Sequence, residues 1–370
     1  MTNAEKTRLQ KEIVDSVDQG ASGRLLLAPR VGKSRIAIML TKKNKPKSIL
    51  WVTPSAKLAT EDIPQEFEKW KAKSYLKKLT TVTWMSLDKI DGHFDMIILD
   101  EEQFVTENNT KNFFNDKLTY DTLISMTGTP TKHAEKQLIY KKLKLSVLYD
   151  MSINEAVDIG LLSNYSIKVL EVDMSTAKTL EAGSKAKRFM TSEASNYQYL
   201  TKMVNQAMYQ GRADAKFRIL NRLRAIKNSP SKLEAAQELL ARIDGRVLIF
   251  AGTINQANHL CDAHYHSKTK DTALKHFQAG DIDRIAMVNA GGTGFTYKEL
   301  DHLVMVQADS DKNGLTSQKI ARTLLKQKNY NATVWIVSLI GTQDEKWVAS
   351  ALENFDKDKV EYIRYKNFKR

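Results

Sequence analysis

Leu25-Leu26-Leu27-Ala28-Pro29-Arg30-Val31-Gly32-Lys33-Ser34 is the stretch on which the fold turns. Three leucines read as a buried strand, the next five residues as a tight loop, and Arg35 to Leu40 as the start of a helix. Gly32 lets backbone amides turn inward on an anion, and the helix presents its positive end to the same place. Lys33 would neutralise β- and γ-phosphates, and Ser34 would give its hydroxyl to Mg²⁺. The general phosphate-loop pattern has a glycine five residues before the Gly-Lys pair, where this chain has Leu27. An accidental Gly-Lys-Ser at a helix start is therefore the other reading of this stretch alone.

Two further stretches bear on that choice. Met96-Ile97-Ile98-Leu99 reads as a buried strand that delivers Asp100-Glu101-Glu102-Gln103 at its far end. Adjacent carboxylates repel and call for a cation. Asp100 would hold magnesium, and Glu101 would orient and deprotonate an attacking water. An acidic loop tip is the plainer alternative. Thr127-Gly128-Thr129-Pro130 follows a third apolar run, Leu123 to Met126.

In this order the three stretches resemble motifs I, II and III of the superfamily 2 helicases and translocases, the DEAD/DEAH-like group. Other segments are similar to further motifs of that family. Leu50-Trp51-Val52-Thr53-Pro54 resembles motif Ia, and Arg8-Leu9-Gln10 the upstream glutamine element that recognises adenine. Val247-Leu248-Ile249-Phe250 resembles motif IV. Asn289-Ala290-Gly291-Gly292-Thr293-Gly294-Phe295 resembles motif V, and Gln318-Lys319-Ile320-Ala321-Arg322 motif VI. The resemblance runs from about residue 8 to residue 345.

It implies two RecA-like domains with ATP and Mg²⁺ in the cleft between them and nucleic acid across both, DNA more than RNA. It makes Lys33, Asp100, Glu101 and Arg322 the catalytic set, with Arg322 as the arginine finger. Gln10, Arg30, Gly32, Ser34, Gln103, Gly294 and Gln318 would line the nucleotide, with Gln318 sensing the γ-phosphate and Ser34 and Asp100 as metal ligands. Thr127 and Thr129 would couple hydrolysis to domain movement with Gln103 as their partner. Thr53, Pro54, Gly291, Gly292 and Thr293 would touch nucleic acid. The chain departs from the pattern at Arg30, where a glycine is common, at Ala321 and Leu325 in motif VI, and at Thr296 in motif V. Lys326, next to Leu325, lacks the bidentate fork of the second arginine usual there.

Composition agrees with a polyanionic partner. The 370 residues carry 57 Lys+Arg against 43 Asp+Glu, a net charge of +14, and the pI is near 9.5. One cysteine, Cys261, excludes an internal disulfide and suits a reducing cytoplasm. The first residues lack the apolar core of a signal peptide, and the longest apolar runs are too short to span a bilayer.

Residues 1–150 alternate short apolar runs with amphipathic stretches and read as the first α/β domain, with strands at 25–27, 49–53, 81–84, 96–99 and 123–127. Residues 151–230 read as a connecting strand and a basic helical segment, which either contacts phosphates or is a solvated face. Residues 231–370 read as the second α/β domain, with a helix from Lys232 to Arg242 and strands at 247–250, 285–289, 303–306 and 334–338. His264 and His266 share a strand face, but no Cys, Asp or Glu cluster completes a zinc site. The tail Tyr362-Ile363-Arg364-Tyr365-Lys366-Asn367-Phe368 reads as a helix docking on domain two or a strand-gripping arm. Three rival readings stay open: a double-strand translocase that separates no strands, a non-catalytic nucleic-acid scaffold, and a metabolic kinase, which leaves the second α/β block and Arg322 without a role.

Overall fold

A computed structural model describes residues 1–184, 187–288, 300–309, 315–324 and 331–368, without the side chains of Ser184, Arg322 and Thr323. Contacts divide the chain into two compact units, Met1–Leu162 with Lys312–Ala321, and Ser163–Asp311 with Arg322–Arg370. No helix among the described residues is long and apolar enough to cross a membrane.

The first unit is built on β1 (Gly23–Leu27), β2 (Ile49–Thr53), β3 (Leu79–Thr83), β4 (Gly92–Asp100), β5 (Leu118–Thr127) and β6 (Val147–Met151). They form one sheet in the order β3-β2-β4-β5-β1-β6, every pair parallel. Residues Met96 to Leu99 are all buried, as a strand covered on both faces requires. Because β5 lies between β4 and β1 and all three run the same way, their carboxyl ends emerge side by side, about 5 Å from strand to strand. Three motifs spread over a hundred residues thus converge on one edge.

The second unit holds β7 (Tyr165–Val172), β8 (Leu180–Ser184), β9 (Lys187–Thr191), β10 (Val247–Ala251), β11 (His264–Tyr265), β12 (Arg284–Val288), β13 (His302–Met305), β14 (Ala332–Leu339) and β15 (Val360–Arg364). Seven of these form a parallel sheet in the order β11-β12-β10-β13-β14-β7-β15, while β8 and β9 make a separate antiparallel hairpin. Its core gathers Ala235, Leu239, Ile249, Val304 and Val337 between the sheet and the helix Pro230–Arg242. Ser229 caps that helix by accepting from Lys232 N at 3.1 Å, with Pro230 in its first turn.

Three features differ from the sequence reading. Residues 163–230 belong to the second unit, and β7 lies inside its sheet between β14 and β15. The segment 174–230 holds the β8–β9 hairpin besides its helices. The tail docks mainly as a strand: β15 pairs with β7, and only Tyr365–Phe368 turns helical, setting Phe368 edge-on to Trp335 with 5.9 Å between ring centres.

Candidate nucleotide site

The helix Lys33–Asn44 starts directly from the phosphate loop, with Gly32 at its N-cap in the left-handed region (φ 96°) and no side-chain cap. A Cβ at Gly32 would collide with the Gln10 amide, so only glycine fits. Arg30 also has a positive φ, 74°, which a glycine would adopt without the cost of about 1–2 kcal/mol borne by other residues. The loop therefore keeps glycine-like backbone geometry without the glycine. Gln10 is buried against it, donating to Val31 O at 2.6 Å and accepting from Arg35 at 2.7 Å. Both ends of its amide are thus engaged by the loop and its helix.

At the ends of β1, β4 and β5 the polar side chains form one chain of bonds. Lys33 Nζ lies 2.7 Å from Glu101 Oε1. Glu101 Oε2 accepts from Gln103 Nε2 at 2.9 Å and from Gln318 Nε2 at 2.8 Å. Gln103 Oε1 accepts from Thr127 Oγ1 at 2.7 Å, and Thr127 Oγ1 accepts from Thr129 N at 3.0 Å. Gly128 allows the close approach: a Cβ there would stand 3.2 Å from Leu27 O and 3.5 Å from Lys33 Nζ. Glu101 itself holds a left-handed backbone (φ 55°), a conformation that persists only where the surroundings impose it. Gln318, on the helix Leu315–Thr323, is buried where it meets Glu101.

Asp100 is different. It is only 8% exposed, and its Oδ1 has no hydrogen-bond partner among the described residues. Burial pushes its carboxyl up to about 6, the nearby Lys33 ammonium opposes that rise, and the Glu101 charge adds to it. A buried carboxylate oxygen left without a partner costs about 1–3 kcal/mol. It fits a divalent cation, and Thr129 Oγ1 is likewise buried with no hydrogen-bond partner among the described residues.

Since the folded value lies above the ordinary 3.8, the folded protein binds an extra proton between about pH 4 and 6. The associated stability is present at low pH and lost as pH rises through that window. In EDTA, Asp100→Asn should therefore melt above the wild type at pH 7.5, by on the order of 1–2 kcal/mol, with the gap closing near pH 4. Parallel melting curves across that range would contradict the assignment.

Behind this edge sits a buried ion pair that sequence reasoning missed. Arg24, within β1, donates to both carboxylate oxygens of Glu102, with NH2 to Oε1 at 2.6 Å. Ser125 Oγ donates to Glu102 Oε2 at 2.7 Å, and the Arg24 guanidinium lies 4.0 Å over the Tyr140 ring. Lys136 Nζ donates to Gln103 O, so the carbonyl of that residue is held too. The available signal was an arginine interrupting a strand that is otherwise apolar.

Other expected residues fare differently. Thr53 is fully buried, and its hydroxyl donates to Ser55 O at 2.8 Å. Its hydroxyl thus shapes the loop, and the neighbouring Pro54 is partly exposed. Gly291, Gly292, Thr293, Gly294 and the Arg322 side chain lie outside the described residues. His264 and His266 stack ring on ring at 5.3 Å.

No protein-family model matches the chain, and no curated protein matches it by sequence. Solved structures do. The ATP-dependent type ISP restriction-modification enzyme LlaBIII bound to DNA superposes with a TM-score of 0.61 at 14% identity over 97% of this chain. Saccharomyces cerevisiae Dbp5 bound to RNA and ADP BeF3 gives 0.55 at 13% identity, covering 97% of this chain and 90% of that one. The Pyrococcus furiosus Hef helicase domain gives 0.51 at 13%, covering 94% and 98%. The chain shares its two-sheet α/β fold with these structures. The chain spans 31% of LlaBIII, so the likeness there is to one part of a longer protein. In the helicase fold both sheets belong to RecA-like domains, and the edge bearing Lys33, Asp100 and Glu101 lies at the carboxyl ends of parallel strands, where such sheets bind ligands.

Proposed function

We propose that this chain is a nucleic-acid-dependent ATPase of the helicase or translocase kind, with DNA favoured over RNA. The observation that supports it best is a lysine, two carboxylates and two glutamines gathered at three adjacent strand ends, one carboxylate oxygen buried with no hydrogen-bond partner among the described residues. Lys33 would leave Glu101 to hold the terminal phosphates. Glu101, kept in place at Oε2 by Gln103 and Gln318, would then use Oε1 to take the proton of the attacking water. Asp100 and Ser34 would hold Mg²⁺, which when bound neutralises charge developing on the phosphates. Thr127 and Thr129 would pass the state of Glu101 to the rest of the first unit. Arg322 is assigned the arginine finger and motif V the nucleic-acid backbone.

The test is steady-state phosphate release with Mg²⁺ and ATP, alone and with single-stranded, duplex, forked and four-way DNA and with RNA. Hydrolysis stimulated by one of these, and abolished in Lys33→Ala, is the expected result. Absence of turnover with every substrate would reduce the protein to a binder.

A further inference from the structure

The helical hairpin of the second unit, Glu193–Tyr209 and Ala215–Lys227, carries large apolar side chains in water. Tyr209 is 94% exposed, Met208 62%, Tyr199 60% and Phe217 58%. They do not fall at random. Tyr199, Lys202, Gln206 and Tyr209 follow one another at i, i+3, i+7 and i+10, a single stripe about 15 Å long at 1.5 Å per residue. On the second helix Lys216, Phe217, Leu220 and Arg224 share the exposed side. Aromatics and cations thus interleave on both helices.

The charge on this segment is one-sided. Residues 174–228 hold eleven Lys/Arg and three Asp/Glu. All three acids are engaged. Glu193 is buried and accepts from Ser229 and Ser231, Asp214 is held by Arg212 and Arg218, and Glu181 pairs with Arg188 at 2.9 Å. Lys202, Lys216 and Arg224 have no salt-bridge partner among the described residues. A surface that offers cations and flat rings, with its acids spent, suits a polyanion that has faces to stack. Unpaired bases have such faces, whereas those of a duplex are already stacked on each other.

We infer that this hairpin is a strand-gripping site for unpaired nucleic acid, with Tyr199 and Tyr209 stacking bases and Lys202 and Arg224 neutralising phosphates. The inference rests on the nucleic-acid reading above, but not on ATP turnover. It is tested by fluorescence anisotropy with 20-nucleotide oligo(dT) and oligo(U), from 50 to 300 mM salt (a range set by the strong salt dependence of such binding). Tyr199→Ala/Tyr209→Ala should weaken binding at least about tenfold, since each stacked base contributes roughly 5- to 150-fold. Tyr199→Trp/Tyr209→Trp should restore it. Lys202→Gln/Arg224→Gln should reduce the slope of log affinity against log salt by about 1.4, two phosphates' worth for a single strand.

These positions are exposed, so circular dichroism should show every variant folded. Unchanged affinity and slope would overturn the assignment. So would an equal loss for a blunt duplex, or a change in sedimentation mass alone, which would make the surface a contact between copies. Wild-type protein that binds the oligonucleotides but hydrolyses no ATP defeats the ATPase reading while leaving this one standing.

Discussion

Glu101→Gln should bind ATP more tightly than the wild type and hydrolyse it about 10²–10⁴-fold more slowly, the range that a positioned general base contributes. Both halves follow from the 2.7 Å pair of Lys33 and Glu101. In the structure the lysine is satisfied by the carboxylate that would serve as base. An incoming phosphate must displace that carboxylate, and the glutamine amide, lacking its charge, holds the ammonium less. A gain of about three- to tenfold in affinity corresponds to a partly buried pair contributing roughly 1 kcal/mol. Lys33→Ala should instead lose affinity and turnover together. Titration with a fluorescent ATP analogue, alongside single-turnover hydrolysis, separates the cases. Weaker binding by Glu101→Gln than by the wild type would show that the pair is no latch.

The largest effect on stability should come from Lys232→Met, in the second unit. Lys232 Nζ and Asp344 Oδ2 lie 2.6 Å apart, and both side chains are 0% exposed. Asp344 Oδ2 also accepts from Leu339 N at 3.0 Å at the end of β14. Removing the lysine strands a buried carboxylate, at a cost of about 3–5 kcal/mol. That is a large share of the 5–15 kcal/mol typical of a folded domain, to order of magnitude. Lys232→Met/Asp344→Leu should recover much of the loss, but not all, because Leu339 N then loses its acceptor, worth about 1–3 kcal/mol. Urea unfolding midpoints of the two variants decide this. A single variant as stable as the wild type would mean that the pair is not buried in solution.

Much of this architecture was legible because parallel strands covered on both faces read as unbroken apolar runs. Ile49–Thr53 and Val247–Ala251 were located that way to within a residue. β7 was legible only as a connecting strand and not as a member of the second sheet, because Ser166, Lys168 and Glu171 interrupt it, although Ile167, Val169 and Leu170 are all buried. β15 escaped because its aromatics at 362 and 365 suit a helix as well as a strand. Within the site, Lys33, Asp100 and Glu101 announced themselves by residue type and by position after a strand. The meeting of Gln318 with Glu101, 217 residues apart, has no local signature, and family resemblance pointed to Gln318 only as a sensor of the γ-phosphate. For the Arg24–Glu102 pair the arginine within an apolar strand was a signal, but its partner was not, since side-chain pairing between strands is set by sheet order, which composition does not reveal.

The placement of β7 has a consequence for how the polypeptide matures. Its hydrogen-bonding neighbours, Ala332–Leu339 and Val360–Arg364, leave the ribosome more than 150 residues after it does. At roughly 5–20 residues per second, this stretch waits on the order of ten seconds or more without its sheet mates. Throughout that interval Ile167, Val169 and Leu170 are open to chaperones or to wrong partners. Slow, chaperone-assisted synthesis should therefore raise the yield of native protein more than any change at the nucleotide edge.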